Sequence, residues 1–218
     1  MNKKFIQLKS QWGVTLENIY IEQNSDTLVI ILPGEGYSNA KPIMYYTQKI
    51  ASEIGLDVLC IDYGFQISHK GFDINTEFDI VAKESEQVLK KCLSKNYKRI
   101  IFIGKSLGTI IQNELSKELV DYEQVHIYLT PVDKTFENIT NHPCLAITGT
   151  ADNKINSFNM LKIEKMKNIE LVKIDNGNHR LECSDTLKSI EMLNKTMKIL
   201  KEFIIKIKKK PKKKHIEI

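Results

Sequence analysis

Ser106 stands between Gly104 and Gly108 where the chain changes character. The apolar run Ile100-Ile-Phe-Ile103 leads into it, and Leu107 to Leu119 follows with helical spacing. A serine on so tight a strand-to-helix turn is lifted clear of its neighbours, the glycines let the backbone crowd together, and the helix N-terminus favours developing negative charge. With ten glycines and twelve serines in 218 residues, chance supplies only roughly 0.025 such G-x-S-x-G motifs. A serine hydroxyl is a poor nucleophile unless an imidazole takes its proton and a carboxylate fixes that imidazole's tautomer. Two downstream loops offer the partners: Gly149-Thr-Ala-Asp152 and Asp175-Asn-Gly-Asn-His179. His179 is the base, because His126 lies inside an apolar strand, His69 and His142 in earlier loops and His215 in a basic tail. Asp152 is the acid; Asp175, only four residues from His179, is the runner-up.

A tetrahedral oxyanion needs two backbone N–H donors. Leu107, directly after the nucleophile, supplies one. The loop Leu32-Pro-Gly-Glu-Gly-Tyr-Ser38 supplies the other, with Glu35 the first choice and Gly36 or Tyr37 as neighbouring alternatives. By position, Gly36, Tyr37, Tyr63 and Phe65 are candidate pocket lining. Lys105 mimics the end of a phosphate loop, but that motif needs glycine where Arg99 stands and a loop where the strand runs, so Lys105 reads as a bystander. Gly34-Glu-Gly lacks the third glycine of a dinucleotide site.

The elements that must hold these residues alternate along the chain. Segments 5–8 and 14–21, with Trp12-Gly13 between them, suit an antiparallel edge hairpin. The continuous apolar run at 27–32 reads as a central strand buried on both faces, 99–104 as a buried strand, and 57–61, 124–129, 144–148 and 169–174 as further strands. Helical spacing over 41–54, 77–94, 107–119, 155–166 and 184–206 separates them. The order predicts an α/β fold: a mostly parallel central sheet with helices on both faces. Ligands of such sheets bind beyond the carboxyl ends of the strands, where Ser106, Asp152 and His179 all fall. Between residues 124 and 144 there is too little chain for a large lid.

The formal charge of +5 is concentrated in residues 206–218, which hold seven lysines and one glutamate and leave the body near −1. A single domain over 1–206 followed by a basic tail over 207–218 is expected. A near-neutral body argues against a nucleic-acid-binding face, whereas the tail suits a weak contact with an acidic surface. Cys60, Cys92, Cys144 and Cys183 are far apart and show no metal-binding spacing, so they read as reduced, buried small hydrophobes and no metal is expected. Neither a secretory leader nor a membrane-spanning run is visible, and the chain reads as cytoplasmic.

Taken together, Pro33-Gly-Glu-Gly-Tyr, Gly104-Lys-Ser-Leu-Gly, Gly149-Thr-Ala-Asp and Gly177-Asn-His resemble the α/β-hydrolase superfamily. They are most similar to its small, lidless esterase-like and dienelactone-hydrolase-like members, over roughly residues 26–205. The resemblance implies the α/β-hydrolase fold, an esterase or thioesterase acting on small ester or acyl substrates, and no cofactor. It casts Ser106, Asp152 and His179 as the triad and Glu35 and Leu107 as backbone donors. Two departures stand out: Pro33-Gly34 replaces the usual His-Gly, and Glu35 brings a carboxylate to the oxyanion loop. A non-catalytic binding protein on the same fold, or an acyltransferase using the same triad, are the other readings.

Overall fold

In the computed structural model the described residues are 2–93, 95–137, 139 and 141–211. Eight strands form one sheet: β1 (Asn2–Lys9), β2 (Thr15–Glu22), β3 (Thr27–Leu32), β4 (Asp57–Cys60), β5 (Arg99–Lys105), β6 (Glu123–Leu129), β7 (Cys144–Gly149) and β8 (Ile169–Ile174). Their spatial order is β1-β2-β4-β3-β5-β6-β7-β8. The β1–β2 hairpin pairs antiparallel to β4, and every other neighbour is parallel. The helices are α1 (Pro42–Glu53), the single turn α2 (Gly64–Ile67), α3 (Phe78–Cys92), α4 (Leu107–Ser116), α5 (Ser157–Lys165) and α6 (Thr186–Lys209). The order of elements expected from the sequence is therefore the one observed. Among the described residues the connection from β6 to β7 carries a 3-10 turn, Asp133–Glu137, and no lid domain.

Alternation within the central strands explains why they read as unbroken apolar runs. On β3 and β5, Val29, Ile31, Ile101 and Ile103 face α1 and α6. Leu28, Ile30, Ile100 and Phe102 face α3 and α4. Both faces are covered, so positions 28–32 and 100–103 are apolar without interruption. The second face continues under α5 through Tyr128, Cys144, Ala146 and Ile163.

Helix ends follow local chemistry. Pro42 opens α1, where its missing N–H costs nothing. The carboxylate of Asp185 accepts from the Lys188 N–H to cap α6. At its other end α6 runs past residue 206 to Lys209, with Ile207 only 2% exposed. Arg99, buried at the start of β5, is the cause: its guanidinium donates to the carbonyls of Ile207 (2.6 Å) and Lys210 (3.2 Å) and to Glu123 (2.9 Å). The packed body thus includes the first residues assigned to the basic tail, and residues 212–218 lie outside the described part.

Candidate active site

The turn from β5 into α4 puts Ser106 at φ 51°, a left-handed conformation uncommon for a residue with a side chain. The flanking glycines are needed for space. A Cβ built on Gly108 would stand 2.1 Å from the Leu32 carbonyl oxygen, and one on Gly104 would strike Gly108 itself. The elbow is thereby pressed onto the end of β3, and the loop after β3 comes to lie beside Ser106.

The three chemistry-bearing residues meet. His179 Nε2 lies 2.9 Å from Ser106 Oγ. His179 Nδ1 lies 2.9 and 3.0 Å from the two carboxylate oxygens of Asp152. The Asp152 side chain is fully buried, whereas that of His179 keeps 24% of its surface open. Burial pushes the Asp152 carboxyl up, but the His179 ring, the Lys154 N–H and the Lys105 ammonium together hold it below its usual range. Asp175, the alternative acid, is exposed, and the ring instead engages Asp152. Close backbone approach sets this geometry, because Gly149 at the end of β7 packs against Gly177, two residues before His179.

The loop after β3 forms a tight turn in which Gly34 and Tyr37 exchange backbone hydrogen bonds of 3.1 and 3.2 Å. That spends the Tyr37 N–H on the Gly34 carbonyl, which removes Tyr37 as an oxyanion donor. The corner residues Glu35 and Gly36 are exposed. Glu35 therefore stands at a solvent-exposed corner of the loop. Gln66 fixes the direction of these peptides: its amide nitrogen donates at 2.6 Å to both the Gly34 and Glu35 carbonyls. Because carbonyl and N–H point oppositely across a trans peptide, this tether turns the Glu35 and Gly36 N–H groups away from Gln66.

Two residues expected to line a pocket do something else. Tyr63 is 1% and Phe65 4% exposed, and both pack in the core beneath the turn, where the Tyr63 hydroxyl donates to the Pro33 carbonyl at 3.1 Å. They support the loop from below, because the one-turn helix α2 draws their rings inward. Tyr37 does border open space. A cleft of about 320 Å³ lies between Tyr37, Pro42 and Ile43 on one side and Arg180, Leu181 and Leu193 on the other. Cys183, read as a buried cysteine, is half-exposed on its wall.

Sequence reasoning overlooked Gln66 and misjudged Lys105. Lys105 is 1% exposed and its ammonium donates to the His179 carbonyl, so it is no bystander. The signal was available: a lysine ending a strand buried on both faces has no path to water and must find partners inside. Gln66 carried no comparable signal, since it lies in a loop rich in turn residues. Among the described residues no three His, Cys, Asp or Glu side chains gather as a metal site, and no helix is long and apolar enough to cross a membrane.

No family model matches the sequence, and no curated protein matches it at a significant level. Solved structures do match. A lidless α/β serine hydrolase from Xanthomonas campestris superposes with a TM-score of 0.71 at 15% identity, covering 94% of this chain and 95% of that one. Est1E from Butyrivibrio proteoclasticus, solved with ferulic acid bound, gives 0.68 at 15% identity over 92% and 98%. An esterase from Pyrococcus furiosus gives 0.64 at 19% identity over 92% of each chain. The chain has the α/β-hydrolase fold in its lidless form.

Proposed function

We propose that the protein is a serine hydrolase that cleaves a carboxylic ester or thioester through an acyl-enzyme. The observation that carries this reading is the unbroken chain of contacts from Ser106 Oγ through both ring nitrogens of His179 to Asp152. Ser106 Oγ attacks the acyl carbon while its proton passes to His179 Nε2. The C–O or C–S bond then breaks, and the leaving alkoxide or thiolate takes that proton from the imidazolium. Water repeats the cycle, giving its proton to His179 and releasing the carboxylate and Ser106. Asp152 keeps the Nδ1 proton in place and offsets the imidazolium charge.

Negative charge on the tetrahedral oxygen would be met by the N–H groups of Leu107, at the first position of α4, and Glu35, turned by the Gln66 tether. The exposed position of Glu35 supports this reading over a non-catalytic binding protein. The cleft beyond Tyr37 would take the apolar part of a small substrate.

The test is labelling by a fluorophosphonate probe together with hydrolysis of short p-nitrophenyl acyl esters. Wild-type protein should label at one site and turn over, and Ser106→Ala should do neither. Labelling that persists in the alanine variant would overturn the assignment.

A further inference from the structure

Lys105 occupies the variable position just before the nucleophile, on the last residue of β5, and its side chain is the charged group buried closest behind the triad. Its ammonium donates to the backbone carbonyl of His179 at 2.8 Å and to Thr130 Oγ1 at 2.8 Å. It also lies 4.7 Å from the centre of the Tyr37 ring. One side chain therefore touches three separate loops: those after β3, β6 and β8. The contact on His179 is to the main chain of the same residue whose ring holds Ser106 and Asp152.

Thr130 points the same way. It is a β-branched residue at φ 43°, buried completely, with its own N–H bonded to the Ile147 carbonyl at 2.7 Å. Such a conformation is strained for threonine and persists only where surrounding contacts enforce it. What the strained residue presents inward is the hydroxyl oxygen that accepts the Lys105 hydrogen bond.

We propose that Lys105 is a positioning residue for the catalytic base: by tying the His179 carbonyl to Thr130 it holds the imidazole in line with Ser106 and Asp152. The inference rests on the serine-hydrolase reading above. An ordinary role in stability does not account for a buried ammonium here, since an apolar side chain of similar volume would avoid its desolvation. Burial lowers the Lys105 pKa to about 8, with the Arg180 guanidinium adding to that shift while the Asp152 and Glu182 carboxylates oppose it. Tyr37 and the His179 carbonyl complete its surroundings. Loss of its proton weakens a charge-assisted tether to a neutral one, so turnover should decline as pH rises through that value.

The experiment uses the full chain and its Lys105→Met variant, with p-nitrophenyl butyrate and a fluorophosphonate probe. Lys105→Met should fold, with a lower melting temperature because the His179 carbonyl and the Thr130 hydroxyl lose their donor, and should lose about 10- to 100-fold in kcat with little change in KM. Its kcat should also lack the decline near pH 8 that the wild type shows. Thr130→Ser, which keeps the hydroxyl, should retain turnover, and Thr130→Ala should show the same kcat loss as Lys105→Met. That pair decides the matter if Lys105→Met fails to fold. Wild-type kcat and an unchanged alkaline profile in Lys105→Met, or equal turnover in Thr130→Ser and Thr130→Ala, would overturn the positioning role while Ser106 remained essential. A wild-type protein that neither labels nor hydrolyses the ester would instead overturn the serine-hydrolase reading beneath it.

Discussion

Gly149→Ala isolates one steric contact on which the candidate site depends. Among the described glycines only Gly13 and Gly55 have positive φ, so alanine fits the Gly149 backbone conformation and the added methyl is the whole perturbation. Its Cβ would stand 1.8 Å from the Gly177 carbonyl oxygen, whereas a carbon and a carbonyl oxygen ordinarily approach to about 3.3 Å. The two loops would have to part by about 1.5 Å, less whatever the strands absorb. This opening enters three residues before Asp152 and two before His179. It also strains the Ala151 N–H bond of 3.0 Å to that same Gly177 carbonyl. The Nδ1 contacts of 2.9 and 3.0 Å have no slack of that size. Displacement on this scale should slow turnover and fluorophosphonate labelling by about 100-fold, and overpacking should destabilise the fold by about 1–3 kcal/mol. Labelling rate, ester hydrolysis and urea unfolding measure the three quantities. Gly71→Ala serves as control, because nothing lies within 4 Å of its Cβ. A folded Gly149→Ala protein that labels at the wild-type rate would refute the claim that this backbone contact sets the Asp152–His179 geometry.

Three further changes probe other parts of the argument. Gln66→Leu removes the tether on the Gly34 and Glu35 carbonyls while keeping side-chain bulk; kcat should fall about 10- to 100-fold with a small change in KM, and an unaltered kcat would show that the turn holds itself. Asp57, buried at the start of β4, accepts from Lys95, Tyr97, Gln23 and Ser25, and these bonds outweigh burial to hold its pKa below the usual value. Its contribution to stability is present above the unfolded pKa of about 3.9 and lost as pH falls through the lower folded value, so urea midpoints of wild type and Asp57→Asn should converge in acid and separate near neutrality. Arg99→Met leaves the last carbonyls of α6 and Glu123 without their buried donor; stability should drop by about 3 kcal/mol and trypsin should cut sooner near Lys208 and Lys209, and equal cleavage rates would count against the clamp.

What the sequence disclosed about the site follows from which links are local. Ser106 was readable because strand, turn and helix are contiguous and both glycines are needed within two residues of it. Asp152 and His179 were readable because each follows an apolar strand whose end must lie at one edge of a parallel sheet. Asp152 was preferred to Asp175 because Asp175 lies only four residues from His179 on the same loop; what needed the third dimension was the meeting of Gly149 and Gly177 that brings the two loops together. Tyr63 and Phe65 were misplaced for a related reason: loop composition marks where the chain turns but not which way a ring points, and the single turn of α2 sends both inward.

Lys105 shows how far burial alone could have carried the reading. Residues 99–105 form a strand covered on both faces, and its two cationic ends are treated alike by that environment: each is fully enclosed and each is spent on main-chain carbonyls. Arg99 takes the carbonyls that end α6, far from the chemistry, and Lys105 takes the one that carries His179. One strand thereby fastens the last helix at its beginning and the His179 loop at its end, so both fastenings depend on the same central β5 that presents Ser106.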